Sequence, residues 1–201
     1  MKKLMIAAAI VCAAAMSQAA SCDWSTGTVY IGAAGDALSK DTNPVLKGTE
    51  GGTAYLFVLG TDATAAANYA KLTDAKTIWD GFNGSNTLTI DGTSYGLTKS
   101  KAFTSKGKAT LADANDYTVG STVYAAIIVT HDDGKAVDLY SANGATAYIE
   151  TSGGFNDVAA LKWGAGDGAG AATTWQSVPE PTSGLLLLLG VAGLALRRRR
   201  A

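Results

Sequence analysis

The sequence predicts a mainly β protein, an antiparallel β-sandwich or jelly-roll-like domain over residues 20–177 with one or two short helices. Short apolar segments flank it at both ends. Three observations predict this class. Stretches favouring β-structure recur between Gly, Asn and Asp turn signals. Hydrophobic residues make up 47% of the 201, with four Trp and eight Tyr, which argues for a packed core. No repeat of fixed period is visible, which argues against a solenoid or propeller. A domain of about 158 residues can bury about two thirds of its unfolded surface, enough for a core without disulfides.

Thr26–Gly32 and Thr53–Gly60 are the first expected strands, the second too apolar to lie wholly in water. Asp62 to Trp79 breaks the pattern: it is Ala-rich, with Tyr69, Leu72, Ala75 and Trp79 at helix-like spacing. Asp62 stands where a helix cap would. Asn86–Ile90 and Thr93–Leu97 flank Asp91-Gly92, a pair suited to a type I′ hairpin turn because both central residues need positive φ.

From Ser121 to Thr151 the pattern is strongest. Val123–Val129 is a continuous apolar run, expected as a central strand covered on both faces. Asp132-Asp133-Gly134 and Asn143-Gly144 then read as turns leading into Ala136–Ser141 and Ala145–Glu150, which makes a three-stranded antiparallel meander. Gly164–Thr174 reads as a loop or weak edge strand ahead of Trp175.

The ends read as addresses. Lys2 and Lys3 precede the apolar Leu4–Met16, and Ser17-Gln18-Ala19 places small residues where a signal peptidase reads them. Residues 1–19 are therefore expected to be a signal peptide cut after Ala19, with Ala20 as the second choice. Ala19-Ala20-Ser21-Cys22 distantly resembles a lipobox, although Ala19 stands where Leu is wanted. The plainer expectation for Cys22 is a thiol near a mobile terminus. With Cys12 removed, the mature chain keeps one Cys and no intramolecular disulfide.

At the other end, Pro179-Glu180-Pro181 interrupts regular structure. An apolar run over 183–196 follows, then Arg197, Arg198, Arg199 and Arg200. As a helix the run measures roughly 22 Å against a hydrocarbon core of ~30 Å. The arginines favour the cytoplasmic side, which leaves the domain outside. This order of parts, within residues 178–201, resembles the PEP-CTERM sorting signal of Gram-negative bacteria. The resemblance implies recognition by exosortase, an integral-membrane cysteine protease, and cleavage near Pro-Glu-Pro. It further implies transient residence in the inner membrane, then transfer to the cell surface or to an extracellular matrix, commonly one containing exopolysaccharide.

Setting aside the six terminal basic residues and Glu180 leaves ten Lys against 16 acids in residues 20–177, a net charge of −6 with no Arg. Nucleic-acid binding needs clustered basic residues and mostly Arg for base reading, so that class is excluded for the domain.

Catalytic chemistry finds little support. His131, the only histidine, adjoins Asp132 and Asp133, but no Gly-x-Ser-x-Gly elbow accompanies it; a strand-end residue is the plainer expectation. One His cannot furnish a usual zinc site. Asp138, Glu150 and Asp157 are carboxylates that a glycosidase would need in pairs, and sequence alone does not pair them. Asp113-Ala114-Asn115-Asp116 and Asp132-Asp133-Gly134 cluster oxygen ligands for calcium without EF-hand spacing. The expectation is no catalytic residue, no metal and no cofactor.

Trp24 and Trp163, flanked by polar or Gly-rich sequence, are the candidates for stacking on sugars, whereas Trp79 has the spacing of a core residue. Two functional expectations follow: a non-enzymatic surface or matrix protein with a structural or adhesive role, and, second, a carbohydrate-binding or weakly carbohydrate-active module.

Overall fold

A computed structural model describes residues 19–35, 43–82, 86–132, 139–150, 155–157 and 175–178. The described chain is mainly β, with largely antiparallel sheets and two short helices. Its strands are β1 (Ala19–Ser25), β2 (Thr53–Gly60), β3 (Thr87–Ile90), β4 (Thr93–Gly96), β5 (Lys99–Ala102), β6 (Thr110–Thr118), β7 (Thr122–His131), β8 (Leu139–Tyr148), β9 (Phe155–Asp157) and β10 (Gln176–Ser177). Helices α1 (Ala63–Tyr69) and α2 (Ala75–Phe82) lie between β2 and β3.

Strand β7 organises the molecule. It sits inside a five-stranded sheet of order β10-β8-β7-β2-β5. Its apolar run divides by the two-residue period of a strand. Val123, Ala125, Ile127 and Val129 enter one core cluster, and Ala126 and Ile128 enter another. Strand β2 alternates in the same way, with Ala54 and Leu56 on the first side and Phe57 and Leu59 on the second. Both strands are covered on two faces, as the continuous hydrophobicity of β7 predicts.

The first core joins this sheet to the three-stranded sheet β6-β1-β9 through Ala20, Cys22, Trp24, Leu111 and Tyr117. Within that smaller sheet β9 runs parallel to β1. The second core packs α1, α2 and the β3–β4 hairpin on the opposite face, through Ala65, Ile78, Phe82, Leu88 and Ile90.

The helices start where acidic side chains can accept orphan backbone N–H groups. Asp62 Oδ1 accepts from Ala65 N at 2.7 Å, and Asp74 Oδ1 accepts from Thr77 N at 2.7 Å. That second bond holds the exposed Asp74 carboxyl below its ordinary range. Gly81 of α2 lies so close to β3 that a Cβ there would stand 2.2 Å from the Thr89 carbonyl oxygen. The hairpin turn is as expected, with Asp91 at φ 48° and Gly92 at φ 77°.

Two expectations are corrected. Asn143-Gly144 does not turn the chain. Both residues lie inside β8, opposite Ile127 and Ala126, in a ladder that pairs all ten residues Thr122–His131 with Tyr148–Leu139. A turn there would have left half of the β7 edge unpaired. Gly144 instead makes room for Tyr69 of α1, whose Cε2 would lie 2.8 Å from an added Cβ.

Thr26–Gly32 is likewise no strand; it supplies an isolated bridge, Tyr30 with Val45, and the strand is β1 just before it. The expected turn over Asp133-Gly134 and the stretch 164–174 lie outside the described residues.

Candidate functional site

Three places gather chemistry-bearing side chains. The first is a bulge where β1 meets β6. Ala20 pairs with Tyr117 and Cys22 with Asp113, so one residue of β1 faces three of β6. The three, Ala114-Asn115-Asp116, are held through Asn115 by Asp113, which is 2% exposed. Its Oδ1 accepts from Asn115 N at 3.0 Å and from Asn115 Nδ2 at 2.8 Å, and the Tyr117 hydroxyl donates to Oδ2. Short polar side chains commonly hold backbone two residues on in this way.

The oxygen ligands that this segment clusters therefore include a carboxylate already engaged by its own loop. Among the described residues no group of three or more His, Cys, Asp or Glu side chains is placed to hold a metal ion. Cys22 is fully buried in β1 rather than near a mobile terminus. Its thiol packs in the first core, where a buried Cys behaves as a small inert hydrophobe.

Burial first, then the hydrogen bond to Asp113, raises the Tyr117 pKa above the ordinary phenol value. The unfolded phenol releases its proton near pH 10 while the folded one retains it. The unfolded state then binds fewer protons, so stability falls as pH rises beyond about 10. Urea unfolding followed between about pH 9 and 11.5 is expected to show this decline, and Tyr117→Phe to flatten it. An equal slope in both proteins would overturn the assignment.

The second place is an open groove between the helices and the hairpin, lined by Lys71, Thr77, Asp80, Gly81, Thr89, Ile90 and Asp91. Its charges are matched. Lys71 pairs with Asp91, and Lys76 with Asp80 at 2.5 Å. These exposed pairs hold the Asp91 carboxyl below its ordinary range and push the Lys76 ammonium above its own. Exposed pairs of this kind contribute little stability. Beside the groove lies an aromatic row: Trp79 stacks on Tyr140 at 4.2 Å and meets Phe82 at 5.4 Å.

The third place is where the described chain ends. Trp175 is 1% exposed, its Nε1 donates to the Tyr30 carbonyl at 2.7 Å, and its own carbonyl accepts from Gly35 N at 2.8 Å. Gln176 and Ser177 then form β10 against Tyr140 and Leu139 of β8. The Tyr140 hydroxyl donates to Gln176 Oε1 at 3.0 Å.

The residues singled out in the sequence separate as follows. Trp24 is fully buried, so it has no face to offer a sugar; the expectation of a stacking surface there is corrected. Its neighbours are polar because they occupy the alternate face of β1, not because the loop is exposed. The exposed large hydrophobic side chain among the described residues is Tyr148, 58% exposed, which sequence reasoning missed. Its only signal was alternation with the buried Ala145, Ala147 and Ile149 toward the end of β8.

His131 ends β7, 5% exposed, with its ring 6.1 Å from that of Trp175. It is a strand-end residue as expected, but a buried one. Ala19 and Ala20 open β1, Ala20 2% exposed. Glu150 is exposed just after β8, and Asp157 ends β9. Trp163, Asp138, Pro179, Glu180, Pro181 and Arg197–Arg200 lie outside the described residues, as does the apolar segment 183–196. No helix among the described residues is long and apolar enough to cross a membrane.

A β-domain whose last described strand is followed in sequence by Pro-Glu-Pro, an apolar run and four Arg has the order of parts of one class: an exported domain carrying a C-terminal sorting signal. Residues 177–200 match the PEP-CTERM protein-sorting motif, which implies an exported protein sorted by exosortase to the surface or extracellular space. No curated protein and no solved structure matches the chain.

Proposed function

We propose that the protein is a non-enzymatic component of the cell surface or extracellular matrix, with a structural or adhesive role. A signal peptidase cuts after Ala19 and exosortase acts at Pro179-Glu180-Pro181. The apolar segment 183–196 holds the chain in the inner membrane only until then, with Arg197–Arg200 on the cytoplasmic side. Exopolysaccharide is the expected surrounding. Sandwich-type packing is part of this reading, supported by the core that the two sheets share.

The observation that carries this reading is the match of residues 177–200, which begins inside β10, the last strand among the described residues. The engagement of the described carboxylates supports the non-enzymatic part. Asp113, the buried carboxylate, is spent on its own bulge, and the groove carboxylates Asp80 and Asp91 are paired with lysines. The carbohydrate-binding alternative loses Trp24 to the core and retains Trp163.

Intact mass, measured separately on membrane and extracellular fractions of a host that has exosortase, tests the proposal. A species running from Ala20 to the neighbourhood of Pro181 is expected outside the membrane. A species that keeps Arg197–Ala201 and stays in the membrane would make the tail a plain anchor and overturn the sorting reading.

A further inference from the structure

We infer that strand β10 is a releasable latch over the upstream side of the processing site: the sorting signal is cut only when Gln176 and Ser177 have left strand β8. This rests on the processing reading above and adds a control step built from the chain's own fold.

The sorting motif and the domain have no linker between them. The matched segment begins at Ser177, and Ser177 is also the second residue of β10, paired with Leu139. A single residue, Val178, separates it from Pro179. At no more than about 3.6 Å per residue, Pro181 lies within about 14 Å of Ser177. A domain of this size has a radius of gyration of about 15 Å. The folded domain therefore stands hard against any protease that engages the motif.

Peptide clefts commonly take their ligands as extended strands and bond to the backbone. The residues such a cleft would take just upstream of Pro-Glu-Pro are Gln176 and Ser177, whose backbones are already paired with Tyr140 and Leu139. The five-stranded sheet blocks that side of the segment until β10 lifts.

Release is local because the ladder is short. β10 contributes two residue pairs, where β7 and β8 share ten. Short edge elements open at a small fraction of the global unfolding cost. Peeling has a definite stop at Trp175, whose ring is buried in the first core and whose Nε1 is tied to Tyr30. After the cut β10 returns to β8, and the mature chain ends on a paired strand.

The test is a removable staple in the full-length chain, Gln176→Cys with Tyr140→Cys. Directly opposed residues of an antiparallel pair have Cα atoms about 4.5–5.5 Å apart, within disulfide reach. Cys22 is fully buried and does not compete. The double variant is expressed in an exosortase-bearing host with and without its periplasmic thiol oxidase, and tail retention is read by mass.

The oxidised protein is expected to keep its tail. The reduced protein and the Tyr140→Cys single variant, which also lack the hydroxyl bond to Gln176, are expected to lose it at least as fast as wild type. In a second variant, Tyr140→Phe drops the hydroxyl bond to Gln176 but keeps the ring on Trp79. Its processing is expected to run about fivefold faster, the gain in opening from one lost hydrogen bond. Equal cutting of stapled and reduced proteins, or Tyr140→Phe cut no faster than wild type, overturns the latch while leaving the processing reading intact. A wild-type chain left uncut overturns both.

Discussion

Replacing Trp24 with Ala is expected to remove about 3–5 kcal/mol of stability, the usual cost of deleting a buried Trp side chain. Against a typical total of about 5–15 kcal/mol, that is a large share of the whole. The ring is fully buried in the core shared by the two sheets, with Cys22 and Ala20 on the same face of β1. One feature moderates the loss. Trp24 Nε1 is buried without a hydrogen-bond partner, and an unpaired buried donor costs about 1–3 kcal/mol.

Trp24→Phe removes that donor while keeping much of the volume, so it is expected to fall within about 1.5 kcal/mol of wild type, as conservative core swaps do. Urea unfolding midpoints of the three proteins check both values. Any glycan binding that Trp24→Ala abolishes would then be lost through unfolding. A Trp24→Ala protein with wild-type stability and no glycan binding would return the residue to the surface and revive the carbohydrate reading.

How far the fold was legible depended on whether local chemistry and tertiary demand agreed. Asp91-Gly92 turned as its composition required, because the two strands it joins have only each other to pair with. Asn143-Gly144 offered the same local signal and did not turn. The ten-residue β7 demanded a partner of equal length, and α1 required a residue without a side chain beneath Tyr69. Asp62 capped its helix, where local and tertiary requirements coincide.

Strand β1 was hidden for a different reason. Its buried positions Ala20, Cys22 and Trp24 alternate properly, yet two of them are small and abut the expected signal-peptidase site. The pattern was legible as an address before it was legible as a strand. The Asp113–Tyr117 bulge could not have been found at all, since nothing local announces that three residues of β6 face one of β1. The sorting tail was the most legible part, because its meaning lies in the linear order of Pro-Glu-Pro, apolar run and arginines. How β10 joins that tail to the fold required the sheet.

Trp175→Ala in the full-length protein is expected to cost about 3–5 kcal/mol, and about 2–4 °C of melting temperature for each of these. The ring is 1% exposed, and its removal also deprives the Tyr30 carbonyl of its donor. Trp175→Phe keeps most of the packing and loses only that bond, so about 1 kcal/mol is expected. The position matters because Trp175 stands two residues before the sorting motif begins. A loss here acts on the segment that a membrane protease must approach, not only on the core.

The Ala variant is therefore expected to melt lower and also to become sensitive to added protease just beyond Trp175, since the indole that is lost ties this residue to the Tyr30 carbonyl. The Phe variant should melt slightly lower and resist. Thermal unfolding together with the mass of the first proteolytic fragments separates these outcomes. An Ala variant that melts with the wild type and is first nicked elsewhere would show that the C-terminal segment merely rests on the domain, with no anchor at which peeling could stop.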